Sequence, residues 1–300
     1  MYHRVLVTGA NGLVGQEVAR RLSGQVDVDL LLTARDASSH VEGLQGGYHR
    51  LDLRDREGLD RLVADFAPTS IIHCAAASQV DWCEDHREDA WQINVDVPAR
   101  LAKLAADEGA QLILLSTDFV FDGERGPYEE RDRPNPINYY GKTKLAAENA
   151  IRSCGLDRWA IARTVLVYGD GNTLSRPNIF TWARSKLQAG VQINVVADQF
   201  RTPTFVGDLA WGLETLVRKR ASGIYHLSGQ EWMSVRDFVV QIAEIGAFDV
   251  DAIGYATRAS LIENGTRPLK TGFITLKAQV DLGYRPQETR VHLARLLQDG

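Results

Sequence analysis

Residues 4–15 read RVLVTGANGLVG, a short apolar run followed by a glycine-rich turn, and this stretch decides the fold. Beyond the turn, apolar residues recur with helical spacing at Leu13, Val14, Val18, Ala19 and Leu22. The glycines therefore lie where a strand passes into a helix, which is the context that a dinucleotide fingerprint requires. Their spacing is G-x-x-G-x-x-G rather than G-x-G-x-x-G, but the helix N-terminus still offers free N–H groups to a pyrophosphate. We predict a dinucleotide site that includes Gly9, Asn11, Gly12, Leu13 and Gly15.

The rest of the first half alternates short apolar runs with helical patterns. After the first strand, we predict strands at residues 28–33, 48–53, 70–74, 111–116 and 159–165. This alternation predicts an α/β fold, a doubly wound parallel Rossmann-type sheet with helices on both faces. Gly- and Pro-rich junctions then interrupt the alternation of strands and helices. We therefore expect residues 169–300 to form mainly a smaller mixed α/β lobe that binds the substrate. Residues 1–168 would be the Rossmann domain, and residues at about 191–219 would return to it.

Composition and charge argue against several classes of protein. The 300 residues carry a net charge of −5, which argues against a general nucleic-acid surface. The apolar fraction of 44% is that of a globular protein, and the N-terminal apolar run is too short to span a membrane. The three cysteines do not form a disulfide framework, and neither they nor the histidines have metal-ligand spacing. We expect a cytoplasmic protein without a metal site.

The end of the second predicted strand bears on the choice of cofactor. An acid usually stands there in sites that prefer NAD, because it holds the ribose hydroxyls. This strand ends in Thr33-Ala34-Arg35, and the planar fork of Arg35 can pair with a 2′-phosphate. NADP(H) is therefore favoured over NAD(H). The alternative is that Asp36 binds the ribose and Arg35 is a surface arginine.

A tyrosine and a lysine four residues apart suggest the chemistry. Tyr140 and Lys144 fall in a predicted helix from about residue 140 to 154, where this spacing puts them on one face. A nearby ammonium lowers the pKa of a phenol and so prepares it for proton transfer. Thr117 ends the fifth strand, where its hydroxyl could donate a hydrogen bond to a carbonyl oxygen. We predict that these three residues are catalytic.

These residues resemble the extended short-chain dehydrogenase/reductase family, with its Ser/Thr–Tyr–Lys triad and glycine loop. The resemblance covers essentially the whole chain and narrows to the dTDP-4-dehydrorhamnose reductase branch. Residues 116–123, STDFVFDG, are close to the branch's S-T-D-Y-V-F-D-G, and residues 140–148, YGKTKLAAE, to its Y-G-K-T-K-L-x-G-E. Shorter matches follow the same order at residues 80–84, 198–204 and 267–277.

The resemblance implies reduction of the 4-keto group of a nucleotide-linked 6-deoxy sugar by NADPH. It implies cofactor contacts, in which Tyr140 and Lys144 also take part, at Asp52, Leu53, Ala75, Ala76, Ala77, Asn94 and Thr164. Asn94 would help to order the active site. The implied substrate contacts are Asp118, Phe119 and Arg201. The implied partner is the sugar nucleotide, with no nucleic acid or membrane. The oligomeric state is left open, with a homodimer as one alternative.

Departures from the branch pattern leave the sugar open. Arg201 stands where the rhamnose enzymes often have Gly, and Phe119 replaces a Tyr beside the sugar. Phe273 and Ile274 replace the usual Leu-Asp. Arg201 could meet a phosphate or carboxylate of the substrate, or it could be a loop cation.

Two alternative functions remain open at this stage. The same branch resembles the regulatory subunit of methionine adenosyltransferase, which keeps the fold and the NADP site but serves as a partner protein. A sugar-nucleotide epimerase is the other alternative. Dehydration is disfavoured, because Thr117 is followed by Asp118 and Phe119 rather than by the Asp-Glu of the dehydratases.

Overall fold

A computed structural model describes residues 2–260 and 264–298 of the chain. The strands are β1 (His3–Thr8), β2 (Val28–Ala34), β3 (Gly47–Arg50), β4 (Ser70–His73), β5 (Gln111–Thr117), β6 (Trp159–Thr164), β7 (Val167–Tyr168), β8 (Ile193–Val196), β9 (Phe200–Arg201), β10 (Thr204–Phe205), β11 (Gly223–His226), β12 (Met233–Ser234) and β13 (Ile253–Ala256). The α-helices are α1 (Leu13–Leu22), α2 (Arg56–Phe66), α3 (Val80–Asp85), α4 (Arg87–Trp91), α5 (Val97–Asp107), α6 (Tyr139–Ser153), α7 (Ile179–Gln188), α8 (Val206–Lys219), α9 (Val235–Ile245), α10 (Leu276–Leu282) and α11 (Thr289–Gln298).

Seven parallel strands form the central sheet in the order β3-β2-β1-β4-β5-β6-β11. The first six follow the 3-2-1-4-5-6 order of a dinucleotide-binding fold, which confirms the predicted doubly wound sheet. Successive strands are added towards one edge of the sheet up to β3 and towards the other edge from β4 onwards. A crevice therefore opens between β1 and β4, beyond their carboxyl ends. Thr117 is paired with Thr164 in the last register position of β5 and β6, which places both at that edge.

Alternation along the strands builds a core on each face of this sheet. Val5 and Val7 of β1 are fully buried in one core with residues of α1 and α8, whereas Leu6 is buried in the other with residues of α2 and α5. Burying one such aliphatic side chain contributes roughly 1.5–3 kcal/mol. The two cores hold the carboxyl ends of the strands in fixed positions, and the site depends on those ends.

Local structure differs from the sequence prediction in two places that matter for the site. The third strand ends at Arg50, so Asp52 and Leu53 lie in the turn beyond it rather than in the strand. The apolar residues Trp91, Val95, Leu101, Leu104 and Ala105 predict one long helix after β4. The chain instead forms α3, α4, a π-helical turn at Gln92–Asp96, and α5. The π-helical turn places Asn94 in the interior, where it is fully buried. Single π-helical turns of this kind recur at functional sites.

The second half of the chain adds a smaller layer of helices and short strands. Helices α7, α9 and α11 share a buried core with the parallel pair β8 and β13. Helix α8 packs against α1, and β11 joins the central sheet beside β6. The boundary at residue 168, and the return of residues at about 191–219, stay predictions. None of the helices in the described part of the chain is long and apolar enough to cross a membrane.

Candidate active site

A cleft of about 1250 Å³ runs along the carboxyl edge of the central sheet and reaches the second lobe. Such a volume exceeds that of a typical small-ligand pocket and suits a dinucleotide together with a second ligand. The cleft is lined by 18 of the 19 predicted site residues, and Asn94 lies behind its wall. The 18 residues are Gly9, Asn11, Gly12, Leu13, Gly15, Arg35, Asp52, Leu53, Ala75, Ala76, Ala77, Thr117, Asp118, Phe119, Tyr140, Lys144, Thr164 and Arg201.

The glycine loop leaves room for a ligand only because its residues lack side chains. A Cβ atom on Gly9, whose φ is +68°, would lie 2.6 Å from the backbone nitrogen of Ala75. A Cβ atom on Gly15 would lie 2.3 Å from the carbonyl oxygen of Gly9. Gly12 is the N-cap residue of α1, and no described side chain caps the first turn, so the N–H groups of that turn stay available to an anion. The loop therefore fits the pyrophosphate of a dinucleotide.

The two residues weighed for cofactor choice have different surroundings. The side-chain nitrogen of Asn11 donates to Oδ2 of Asp36 at 2.8 Å and to the carbonyl oxygen of Ser38 at 3.0 Å. Asp36 is thus held by the glycine loop itself. Arg35 is exposed at the same end of the cleft and forms no ion pair within 4 Å in residues 2–260 and 264–298, although its charge contributes to the lowered pKa of Asp52. This arrangement leaves a cation accessible to a ligand phosphate.

Asp52 reaches the cleft as part of an ion pair. Arg54 donates to Oδ2 of Asp52 at 2.7 Å and contacts Asp89 at 3.3 Å. The hydrogen bond from Arg54 is the main reason why the pKa of Asp52 lies below its usual value. Leu53 lines the cleft beside it. An ionised carboxylate next to an apolar side chain suits a nucleoside, but the adenine contact stays a prediction.

The reaction centre is formed where α6 approaches the end of β5. Asn138 caps α6 by accepting a hydrogen bond from the N–H of Gly141 at 2.7 Å. A Cβ atom on Gly141 would lie 2.1 Å from the carbonyl oxygen of Phe119, so only glycine permits this approach. The approach brings Tyr140 beside Thr117, whose interaction with the phenol lowers the Tyr140 pKa. Burial is the larger effect and raises that pKa above its usual value, so the phenol remains protonated at neutral pH.

Lys144 is almost completely buried on the same face of α6. Burial lowers the pKa of Lys144 to about 8, and the carboxylate of Glu148 opposes this shift. The Lys144 charge also contributes to the low pKa of His73, about 3, which burial mainly causes. The groups that shift the Tyr140 pKa include Thr117, Asp118 and Arg176. The expected lowering of the Tyr140 pKa by Lys144 therefore stays a prediction.

Asn94 does not line the cleft, but its hydrogen bonds support residues that do. Its side-chain oxygen accepts from the N–H of Ala77 at 2.8 Å, and its nitrogen donates to the Ala77 carbonyl at 2.9 Å. The same nitrogen lies 3.0 Å from the hydroxyl of Thr143 on α6. Asn94 thus joins the alanine run after β4 to the helix that carries Tyr140. Direct contact with a cofactor stays a prediction, whereas these bonds support the ordering role.

Two of the predicted substrate residues are engaged with the protein. Each terminal nitrogen of Arg201 donates two hydrogen bonds to protein acceptors, and its Nε lies 3.6 Å from Oδ2 of Asp118. The ring of Phe119 lies edge-on to Tyr140, with centroids 6.1 Å apart. Phe119 can therefore contact a ligand beside Tyr140, while the guanidinium of Arg201 is already occupied.

Sequence reasoning missed a segment of the second half that lies against the cleft. The side chain of Gln16 accepts from the N–H of Asn172 at 2.9 Å and donates to its carbonyl at 2.7 Å. A few residues on, Arg176 hydrogen-bonds the hydroxyl of Ser78. Gln16 and Asn172 are 156 positions apart, so no local pattern in the sequence could have revealed the contact.

Comparison with known proteins assigns the family. The RmlD substrate binding domain family matches residues 3–300. The chain is 34% identical over 281 residues to the probable low-salt glycan biosynthesis reductase Agl14 of Haloferax volcanii, covering 92% of this chain and 91% of that protein. It is 35% identical over 252 residues to methionine adenosyltransferase 2 subunit beta of Bos taurus, covering 80% and 71%.

Solved structures agree with this assignment. A dTDP-4-dehydrorhamnose reductase from Clostridium acetobutylicum superposes with a TM-score of 0.87 at 30% identity, covering 98% of each chain. A dTDP-4-dehydrorhamnose reductase from Bacillus anthracis, solved in complex with NADP, gives 0.87 at 27% identity over 100% of each chain. The chain therefore belongs to the RmlD substrate-binding domain family, within the extended short-chain dehydrogenases/reductases. The predicted family is confirmed, and an NAD(P)-dependent reductase is supported.

Proposed function

We propose that this member of the RmlD family reduces the 4-keto group of a nucleotide-linked 6-deoxy sugar, with NADPH preferred to NADH. One observation carries the proposal. Thr117, Tyr140 and Lys144 line the same cleft as the glycine loop, and burial keeps the phenol of Tyr140 protonated. A binding site for a dinucleotide is thus continuous with a group able to donate a proton.

Tyr140, Thr117 and Lys144 would each have a separate role in this reaction. A bound nicotinamide cofactor would supply the hydride. Tyr140 would donate its proton to the oxygen of the reduced carbonyl, for which a protonated phenol is required. Thr117 would hold the substrate oxygen next to the phenol, and Lys144 would bind the nicotinamide ribose. The burial of Lys144 and Thr117 keeps water from these contacts and strengthens them.

Arg176 adds a charge that suits the second ligand. It lines the cleft, and its positive charge reaches Tyr140, whose pKa it lowers. No carboxylate pairs with Arg176 in the described part of the chain. A diphosphate between nucleoside and sugar carries the charge that such an arginine would recognise.

NADPH preference should depend on Arg35. We expect Arg35→Ala to weaken NADPH binding by about ten- to a hundred-fold, because a charge-assisted pair with the 2′-phosphate would be lost. NADH binding should change by less than about two-fold. Fluorescence titration with both cofactors measures the effect, with Arg158→Ala, outside the cleft, as the control. Unchanged affinity for both NADPH and NADH would instead favour the alternative in which Asp36 binds the ribose and Arg35 is a surface arginine.

Cofactor affinity should also depend on the charge of Lys144. Its pKa is lowered to about 8, so the ammonium is present below that pH and is lost above it. We expect the Kd of NADPH to rise by about an order of magnitude between about pH 7 and pH 10. Lys144→Met should bind NADPH weakly at every pH in this range. An equally steep rise in the Lys144→Met variant would assign the titration to another group.

The proposed function is tested by the loss of NADPH absorbance on adding a 4-keto-6-deoxy sugar nucleotide, with NADH compared in parallel. Rapid oxidation of NADPH, and slower oxidation of NADH, is the expected result. Conversion of the sugar nucleotide without net oxidation would indicate an epimerase. NADPH binding without any reaction across several ketosugar nucleotides would contradict the reductase.

A second candidate is a regulatory subunit, which the likeness to methionine adenosyltransferase 2 subunit beta favours. That function would need the cofactor site and a partner surface but not proton transfer. The presence of Thr117, Tyr140 and Lys144 in one cleft favours the enzyme. Copurification with a methionine adenosyltransferase, together with absence of turnover, would favour the regulatory subunit.

A further inference from the structure

Arg201 is built into the floor of the cleft rather than exposed to it. Its side chain is 4% exposed. Nη1 donates to the carbonyl oxygens of Phe200 at 2.8 Å and Leu269 at 3.0 Å. Nη2 donates to the carbonyl of Pro268 at 2.8 Å and to Oε1 of Gln199 at 3.2 Å. With its four terminal N–H groups used in this way, Arg201 presents only its Nε edge, which faces Asp118.

Asp118 connects this arginine to the reaction centre. Its Oδ1 accepts from the hydroxyl of Thr117 at 3.2 Å, and its Oδ2 accepts from the hydroxyl of Thr271. The carboxylate is 4% exposed, and burial raises its pKa, whereas the charge of Arg201 lowers it. The arginine therefore offsets the main cost of keeping a carboxylate charged at this position.

The Thr117 hydroxyl is held by hydrogen bonds within the protein. It donates to Oδ1 of Asp118 and accepts from the N–H of Phe119 at 3.2 Å. The phenol of Tyr140 lies beside this hydroxyl, and its interaction with Thr117 lowers the Tyr140 pKa. Arg201 and Asp118 thus fix the hydroxyl that faces Tyr140.

We propose that Arg201 is a positioning residue, which holds Asp118 as a hydrogen-bond acceptor so that Thr117 and Tyr140 are aligned for proton transfer. The inference rests on the proposed reductase function and replaces the expected substrate contact of Arg201. It also gives Asp118 a role within the protein rather than on the sugar.

The kinetic test compares Arg201→Met, Arg201→Lys and Asp118→Asn. We expect Arg201→Met to lower kcat by about ten- to a hundred-fold, with KM and the NADPH Kd within about three-fold. Without Arg201, Asp118 becomes protonated at a higher pH, so activity should be lost as pH falls through that higher value. Arg201→Lys keeps the charge and should restore part of kcat, and Asp118→Asn should lose turnover without this acid limb.

The loss of activity at low pH must be assigned to the carboxyl group of Asp118. Tyr140 also interacts electrostatically with Asp118, and Arg267 and Asp198 act on Arg201. Carbon-13 NMR of the aspartate carboxyl groups, assigned with Asp118→Asn, measures its titration directly. We expect Arg201→Met to raise the Asp118 pKa by about one unit or more.

A matched control variant distinguishes a positioning role of Arg201 from a purely structural role. Arg184 pairs with Asp170 at 3.0 Å, and neither residue lines the cleft, so Arg184→Met should leave the pH profile unchanged. If Arg201→Met lowers only the thermal stability and leaves both the profile and the Asp118 titration unchanged, Arg201 is a brace and the inference is wrong. If the unsubstituted protein reduces no ketosugar, the reductase fails, and the NMR titration still decides whether Arg201 controls Asp118.

Discussion

Tyr140→Phe is expected to lower turnover of the 4-keto sugar nucleotide by about 10²- to 10⁴-fold, the usual contribution of a positioned general acid. The substitution removes one hydroxyl and keeps the ring, so the contact with Phe119 persists. Binding of NADPH should stay within about two-fold, because the glycine loop and the Arg35 end of the cleft are untouched. Burial already keeps the Tyr140 phenol protonated at neutral pH, so the loss should be of similar size from about pH 6 to pH 8.

Tyr139→Phe is the matched control for this prediction. Tyr139 precedes Tyr140 in the first turn of α6, and its ring lies under the guanidinium of Arg87 at 5.1 Å. It does not line the cleft, so the control should keep full turnover. Loss of NADPH binding in Tyr140→Phe would assign Tyr140 to cofactor binding. Full retention of turnover would assign the proton to another donor.

Much of the fold followed from local patterns. The turn at residues 9–15 joins a strand to an amphipathic helix, and both ends of that join are visible within twenty residues. Tyr140 and Lys144 could be placed on one face because a single helix carries both. The seventh strand of the sheet, Gly223–His226, was not predicted.

The parts of the site that escaped prediction depend on contacts between distant segments. Arg201 looked like a substrate cation because spacing cannot show that the carbonyls of Pro268 and Leu269 turn towards its guanidinium. The pairing of Gln16 with Asn172 is of the same kind. The π-helical turn that buries Asn94 was read as ordinary helix, because its apolar residues keep a nearly helical period. Side-chain direction is decided by tertiary packing, which the sequence pattern does not contain.

The second large effect is expected beneath the site, at the buried pair of Glu148 and Arg163. Both side chains are at most 1% exposed, and Arg163 donates to the two carboxylate oxygens of Glu148 at 3.0 and 2.6 Å. The hydroxyl of Ser116 donates to the same carboxylate at 2.6 Å. Glu148→Leu or Arg163→Leu should lower the free energy of unfolding by about 3–5 kcal/mol, because each leaves one charge buried without its partner.

The double variant separates the value of the pair from the cost of breaking it. Glu148→Leu/Arg163→Leu removes both charges and should be less destabilised than the sum of the single variants, since no unpaired charge remains. Urea unfolding measures all three, with the exposed pair Glu57 and Arg61 as a control that should change almost nothing. Strict additivity would show that the two residues act independently.

The same double variant tests whether the buried pair also controls the charge of Lys144. Glu148 raises the pKa of Lys144, in opposition to burial, so removing it should lower that pKa below its present value of about 8. Lys144 would then lose its charge nearer to neutral pH, and the rise in the NADPH Kd should begin at lower pH than in the unsubstituted protein. An NADPH titration across pH tests this on the folded double variant. If the pH at which affinity falls does not move, Glu148 stabilises the fold without controlling Lys144.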